Sequence, residues 1–309
     1  MAMPGSIPDT LTAVRTQTGT GLPLEFEFIA TGGYRVDQLD WNIAGSNNGN
    51  NPNILSELTW DDVESYQLKF EGRMVWPRRI ALRGYLAYGW IFDGKNQDSD
   101  FLGDNRMLEY SRSNNSTEDD DLWDISFAVG YPIRFGKAVI GTVTPLAGYS
   151  HHEQQLKITN GYQTIPPLGP FPGLDSSYDT EWKGPWIGID LHFKSADIKS
   201  LAHRFETYLT YEYHRTDYDA EGNWNLRKDL DHPKSFKHDA DGEGYVIRAG
   251  FNFRFTQHWA LNLNFDYLDW STNDGTNKIF YADGTETKTR LNEVNWTSWA
   301  WMAGLSLRF

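Results

Sequence analysis

A two-residue alternation of apolar and polar side chains recurs along this chain, and it restricts the fold more than any other feature. In ALNLNFDYLDW (260–270), Leu261, Leu263, Phe265 and Tyr267 fall on one face and Asn262, Asn264 and Asp266 on the other. That period belongs to an extended strand, whose successive side chains point to opposite sides. Residues 22–30 repeat it with Leu22, Leu24, Phe26 and Phe28 against Glu25 and Glu27. Residues 66–76 set Tyr66, Leu68, Phe70, Met74 and Trp76 against Gln67, Lys69, Glu71 and Arg73. Ile80, Leu82, Leu86, Tyr88, Trp90 and Phe92 oppose Arg83 and Tyr85. The pattern returns around 123–131, 187–193, 204–213, 245–255 and 298–309, and less regularly at 138–158. About ten strands result, many near the length of about 9–11 residues that a tilted membrane strand requires.

The predicted fold is therefore all-β, a transmembrane antiparallel up-and-down barrel forming a single domain over residues 1–309. Closure would satisfy every backbone group between strands, so one face can meet lipid. The opposite face collects Glu25, Glu27, Lys69, Glu71, Arg73, Arg83, Arg204, Glu206, Glu212, Arg248 and Arg254, charges of both signs that a sealed lumen tolerates only if they pair. Short turns are expected near WPRR (76–79), RFGK (134–137) and FTQH (255–258), and long polar loops near 95–118, 160–178, 220–238 and 273–288. This short-and-long asymmetry suits periplasmic turns and extracellular loops, and Phe309 after Leu307 and Leu305 suits the ending of a bacterial outer-membrane barrel. A soluble sandwich would leave the apolar stripe as a large exposed band.

Composition agrees with that location. No run approaches the roughly 18 apolar residues of a membrane helix, and a mean hydropathy of −0.59 is compatible with a barrel whose lumen and loops are polar. The 13 Trp, 16 Tyr and 17 Phe suit aromatic girdles at the two interfaces. A net charge of −14 argues against a nucleic-acid partner, and the absence of Cys removes disulfides and thiolate metal sites. MAMPGSIPDT lacks a basic segment followed by an apolar one, and residues 1–6 resemble vector-derived sequence ahead of a mature chain. The acidic pair Asp98 and Asp100 and the run STEDDDLWD (116–124) offer hard oxygen ligands without a metal-loop spacing, so neither a metal nor a cofactor is expected. PPLGPFPG (166–173) shapes a long loop or forms a protein or glycan contact.

YRVDQLDWNI (34–43) followed by ILSELTWDD (54–62) resembles the first hairpin of the omptins, ten-stranded outer-membrane barrels that include surface endopeptidases. TPLAGYSHHEQQL (144–156) and YDTEWKGPWIGIDLHF (178–193) are similar to the omptin fifth and sixth strands. The resemblance implies an Asp-x-Asp motif after the third strand, matched by Asp98 and Asp100 in NQDSDFL. It also implies an Asp-x-His motif near the tip of the seventh strand, where YHRTDYDAEGNWNL (213–226) instead offers Glu221 and Asn223. Asparagine cannot take up a proton near neutrality, so the general base would be missing unless His232 or His238 replaces it. The expected function is a non-proteolytic surface scaffold or ligand-binding barrel of the outer membrane, with lipopolysaccharide as an outer-leaflet partner and an extracellular ligand. The alternative is a surface endopeptidase in which Asp98, Asp100 and a displaced His232 activate water, with cleft acidity favouring basic substrates. A narrow diffusion channel is a weaker third reading, because the opposed charges should fill the lumen.

Overall fold

The computed structural model describes residues 24–76, 80–136, 139–195 and 205–309. Among them no helix is found, and the strands are β1 (Glu25–Ile43), β2 (Ser56–Trp76), β3 (Ile80–Gly103), β4 (Met107–Ser116), β5 (Asp120–Gly130), β6 (Ile133–Phe135), β7 (Val139–Ile165), β8 (Gly169–Pro170), β9 (Asp175–Ser195), β10 (Phe205–Asn223), β11 (Phe236–Arg254), β12 (Trp259–Thr272), β13 (Gly275–Phe280) and β14 (Glu286–Arg308). They form one antiparallel sheet closed on itself by β1 against β14, from Glu27 opposite Arg308 to Ile43 opposite Leu291. β4 and β5 both bridge β3 and β7, and β12 and β13 both bridge β11 and β14, so these segments share wall positions. The wall thus has about ten positions, as the alternation predicts.

The turn at FTQH lies between Arg254 and Trp259. The turns expected at WPRR and RFGK fall wholly or partly outside the described residues, as do Leu22, Arg204 and residues 1–6. The long polar segment near 220–238 holds the connection 224–235, but the other three need correction, because much of each is strand rather than loop. β3 and β4 carry the wall through most of 95–118, β7 runs to Ile165, and β13 with the start of β14 occupies much of 273–288.

β10 shows why the wall can continue beyond lipid. Its outward residues are Phe205, Thr207, Leu209, Tyr211 and Tyr213, then Arg215, Asp217, Asp219 and Glu221. Its buried residues begin Glu206, Tyr208, Thr210, Glu212, His214 and Thr216, then change to Tyr218 and Ala220. The polarity of the two faces exchanges near Tyr213 while the strand continues unbroken. β9 does the same, from Phe193, Leu191, Ile189 and Ile187 outward to Lys183, Glu181 and Asp179, with Trp182 and Tyr178 turning inward. Below the exchange the outside meets hydrocarbon and the inside is ionic; above it the outside meets water and the inside is apolar. Tyrosine and tryptophan mark the boundary by donating to acids one step farther out. The Tyr213 hydroxyl bonds Glu243 at 2.5 Å, Tyr88 bonds Asp121 at 2.7 Å, and the Trp123 indole N–H bonds Glu153 at 2.6 Å.

The lumen is consequently filled in two tiers. In the lower tier Arg308 meets Glu206 at 2.8 Å, Lys69 meets Asp266 at 2.6 Å, and Glu212 accepts from Arg83 and, at 2.7 Å, from Arg248. Arg35 bridges Asp37 and Asp124 at 2.8 and 2.6 Å, and His152 takes the other Asp124 oxygen. The upper tier is an apolar core of Trp41, Trp60, Tyr178, Trp182, Tyr218, Trp270 and Trp296 with Leu39, Leu58 and Leu291. The girdle expectation is corrected accordingly: many of the tryptophans plug the extracellular half of the barrel, where an inward indole removes apolar surface from water.

A charge on the lower outer face should be costly and one above the boundary should not. Leu209→Arg, in the middle of the β10 apolar stripe, is expected to lower stability by about 2–4 kcal/mol, whereas Asp217→Arg should stay within about 0.5 kcal/mol. Urea unfolding in lipid vesicles measures both.

Candidate ligand-binding site

The outer end of β3 lies between β2 and β4. Asp98 stands opposite Leu58 and Ser113 in the register, and Asp100 opposite Ser56 and Ser111. Because a strand alternates, all six turn toward the same side, and they line one wall of a cavity of about 450 Å³ at the extracellular mouth. Its floor is the top of the aromatic tier, with Trp41, Phe236 and His238, and another wall holds Ile158, Gln163 and Phe171. Phe171 comes from PPLGPFPG, so this loop contributes to the cavity.

The remaining wall is the connection from β10 to β11, residues 224–235. Its backbone is fixed by Trp224 N–H donating to Ser235 Oγ at 3.0 Å, Ser235 N–H donating to the Gly222 carbonyl at 2.8 Å, and a bridge from Leu230 to Tyr281. Trp224 packs edge-on against Phe236, with ring centroids 4.6 Å apart, and its indole N–H favours the charged form of Asp98. Arg227 forks onto Asp229 at 2.9 and 2.7 Å and still acts electrostatically on both Asp98 and Asp100. Trp224, Leu226 and Arg227 all line the cavity.

Burial, and then the neighbouring Asp100, push the Asp98 carboxyl up to about 8 against the opposing pull of Trp224 and Arg227. Burial also raises Asp100, while the Ser56 hydroxyl, Arg227 and the Ser111 hydroxyl hold it down. Two half-buried carboxyls sharing one cleft wall retain a proton together near neutrality. The folded state binds that proton more tightly than the unfolded chain, so stability is lost as pH rises from about 4 through about 8. Asp98→Asn, which mimics the protonated form, should remove part of this loss. Its unfolding midpoint relative to the parent is expected to rise across that window and level off above it, as detergent-phase urea titrations at stepped pH would measure.

The histidines lie in separate parts of the barrel. His238 reaches the cavity floor, where Nδ1 pairs with the Tyr178 hydroxyl at 2.8 Å, and burial pushes its imidazole down to about 3 although Asn277 opposes this. His232 lies on the exposed surface with Nδ1 2.8 Å from Asn223 Oδ1, its backbone N–H donates to Asp231, and it does not line the cavity. Glu221 faces outward and pairs with Lys234, and Asn223 is engaged by His232. His214 lies deep in the ionic tier between Ser150 and Glu212, each at 3.2 Å. The fold therefore brings Asp98, Asp100 and His238 to one cavity and leaves His232, Glu221 and Asn223 outside it. Sequence reasoning missed Trp224 and Arg227, although Trp224 directly follows Asn223 in the stretch it singled out. Among the described residues no group of three or more His, Asp or Glu side chains is arranged to hold a metal ion.

A family profile described as "Pom: Protochlamydia outer membrane protein" matches residues 29–309. No curated protein matches the sequence. Among solved structures, the outer membrane protease OmpT from Escherichia coli is similar with a TM-score of 0.73 at 13% identity, covering 94% of this chain and 100% of that one. The outer membrane protein OprG from Pseudomonas aeruginosa matches with a TM-score of 0.35 at 14% identity, covering 92% of this chain and 95% of that one. The likeness to OmpT is one of fold: a barrel of the bacterial outer membrane.

Proposed function

From the premise that this chain belongs to the Protochlamydia outer membrane protein family, we propose that it is a surface barrel that binds an extracellular ligand in the cleft around Asp98 and Asp100 and does not hydrolyse peptide bonds. The observation that carries this reading is what faces the acidic pair. Trp224 and Arg227 stand there, one a hydrogen-bond donor and the other a fixed cation, and neither can remove a proton from water. His238 shares the cavity but is committed to Tyr178 and binds a proton too weakly to act as a base near neutrality. Lipopolysaccharide is proposed as the lipid partner at the outer leaflet, beside the Tyr and Trp boundary.

The test is turnover. The refolded barrel, supplied with lipopolysaccharide and a library of basic fluorogenic peptides, is expected to give no hydrolysis above buffer, with or without Asp98→Ala. Hydrolysis that disappears in Asp98→Ala would establish the endopeptidase reading instead. A diffusion channel would need the aromatic and ionic tiers to part, and planar-bilayer recording checks for that.

A further inference from the structure

The lining of the extracellular cleft narrows the chemistry of its ligand, on the reading that it binds one. We propose that this ligand is a neutral saccharide, seated with a ring face on Trp224 and with hydroxyl groups on Asp98 and Asp100.

Three observations converge on this class. The cleft combines aromatic surfaces, Tyr110, Phe171 and Trp224 around its sides and Trp41 in its floor, with leucine and isoleucine side chains and with a polar set in which uncharged hydroxyls and amides outnumber the charged groups. An aromatic face is negative and attracts the C–H edge of a sugar ring, while hydroxyls and amides match the mixed donor and acceptor groups around that ring. A purely apolar ligand would strip water from Asp98, Asp100 and these amides without replacing the hydrogen bonds it displaces, which is costly.

Charge separates a saccharide from a cationic ligand. Arg227 already stands beside the acidic pair, so the countercharge that a basic side chain would bring is in place. The pair keeps one proton between its two carboxyls and so presents an O–H donor beside acceptor oxygens, the complement of two neighbouring sugar hydroxyls. Among the described residues Arg227 is the one Arg or Lys of the lining and faces two aspartates there, so the cleft has no surplus positive charge for a phosphate or an acidic sugar.

The third observation is a pair of unmet polar atoms on the cavity lining. Trp41 is 3% exposed, and its indole N–H has no acceptor in the protein. Asn115 gives its amide N–H groups to Asn96 and Ser113, whereas its buried Oδ1 receives nothing. One donor and one acceptor are therefore left unpartnered on residues of the lining, and a volume of about 450 Å³ accommodates more than one sugar ring.

The test uses the intact barrel in detergent and isothermal titration. The probes are neutral di- and trisaccharides of glucose, mannose, galactose and N-acetylglucosamine, with trilysine as the cationic comparator. At least one saccharide is expected to bind. Trp224→Ala and Asp98→Ala should each weaken it about tenfold or more, Trp224→Phe should retain most of the affinity because it keeps a ring face, and Asp217→Arg should change nothing. Failure of every saccharide to bind a folded barrel, or binding indifferent to Trp224→Ala, overturns the assignment. Trilysine binding in place of saccharides overturns it too while leaving the ligand-binding reading intact, and peptide hydrolysis would defeat that reading itself.

Discussion

Glu212→Ala is expected to lower the stability of the barrel by about 3–5 kcal/mol, with the unfolding midpoint in detergent falling accordingly. Glu212 is fully buried and receives Arg83, Arg248 and, at 3.2 Å, His214. Removing its carboxylate leaves two guanidinium cations in a sealed lumen. Arg83 retains Thr210 at 3.4 Å and the face of Trp186, and Arg248 retains the Tyr85 hydroxyl at 2.9 Å and a longer contact with Asp266 at 3.6 Å. None of these replaces a shared carboxylate. A second substitution, Arg248→Met, should recover part of the loss, because it withdraws one of the stranded charges; the double-mutant cycle reads the coupling directly. A loss under about 1 kcal/mol would mean that water reaches these groups freely, and the lumen would then be open rather than filled.

Trp296→Ala should cost about 3–5 kcal/mol by the same measurement, although no charge is removed. Trp296 is fully buried where the two tiers meet. Its ring lies 5.4 Å from Trp270 and 6.0 Å from Trp182, Arg35 sits over it at 5.7 Å, and its N–H donates to Asp37 at 2.8 Å. Truncation leaves a cavity lined by rigid rings that cannot collapse into it, and deprives Asp37 of a donor. Trp301, on the same strand but 63% exposed toward lipid, is the control and should lose much less.

The barrel itself was legible because alternation reports two unlike faces on each strand. Phe205, Leu209 and Tyr211 against Glu206 and Glu212 are enough to assign lipid and lumen in the lower half of β10. The upper half was misread for a physical reason. Alternation says that the faces differ without saying which solvent each meets, and that solvent changes from hydrocarbon to water partway up the wall. Past Tyr213 the outward Arg215, Asp217, Asp219 and Glu221 no longer continue an apolar stripe, so the expected strand stops at 213 although the wall continues. Trp41 and Trp60, counted in the sequence with the aromatic residues that suit girdles, are inward for the same reason.

In the cleft, Asp98 and Asp100 were visible through spacing and resemblance, because a strand fixes which residues share a face. Trp224 and Arg227 were not, since the path of residues 224–235 is set by contacts with Gly222, Ser235 and Tyr281 that no local pattern encodes. The same holds for His232, whose direction depends on Asn223 and Asp231.

The seam between β1 and β14 pairs Phe28 with Leu307 and Val36 with Trp299, residues from opposite ends of the polypeptide. An unfinished cylinder would present bare peptide groups to hydrocarbon along both rims, so insertion strand by strand is disfavoured at every intermediate stage. Assembly must then be concerted, with the pairing of β1 and β14 acting as the clasp, and the slow step should be the meeting of these distant partners rather than any local hairpin.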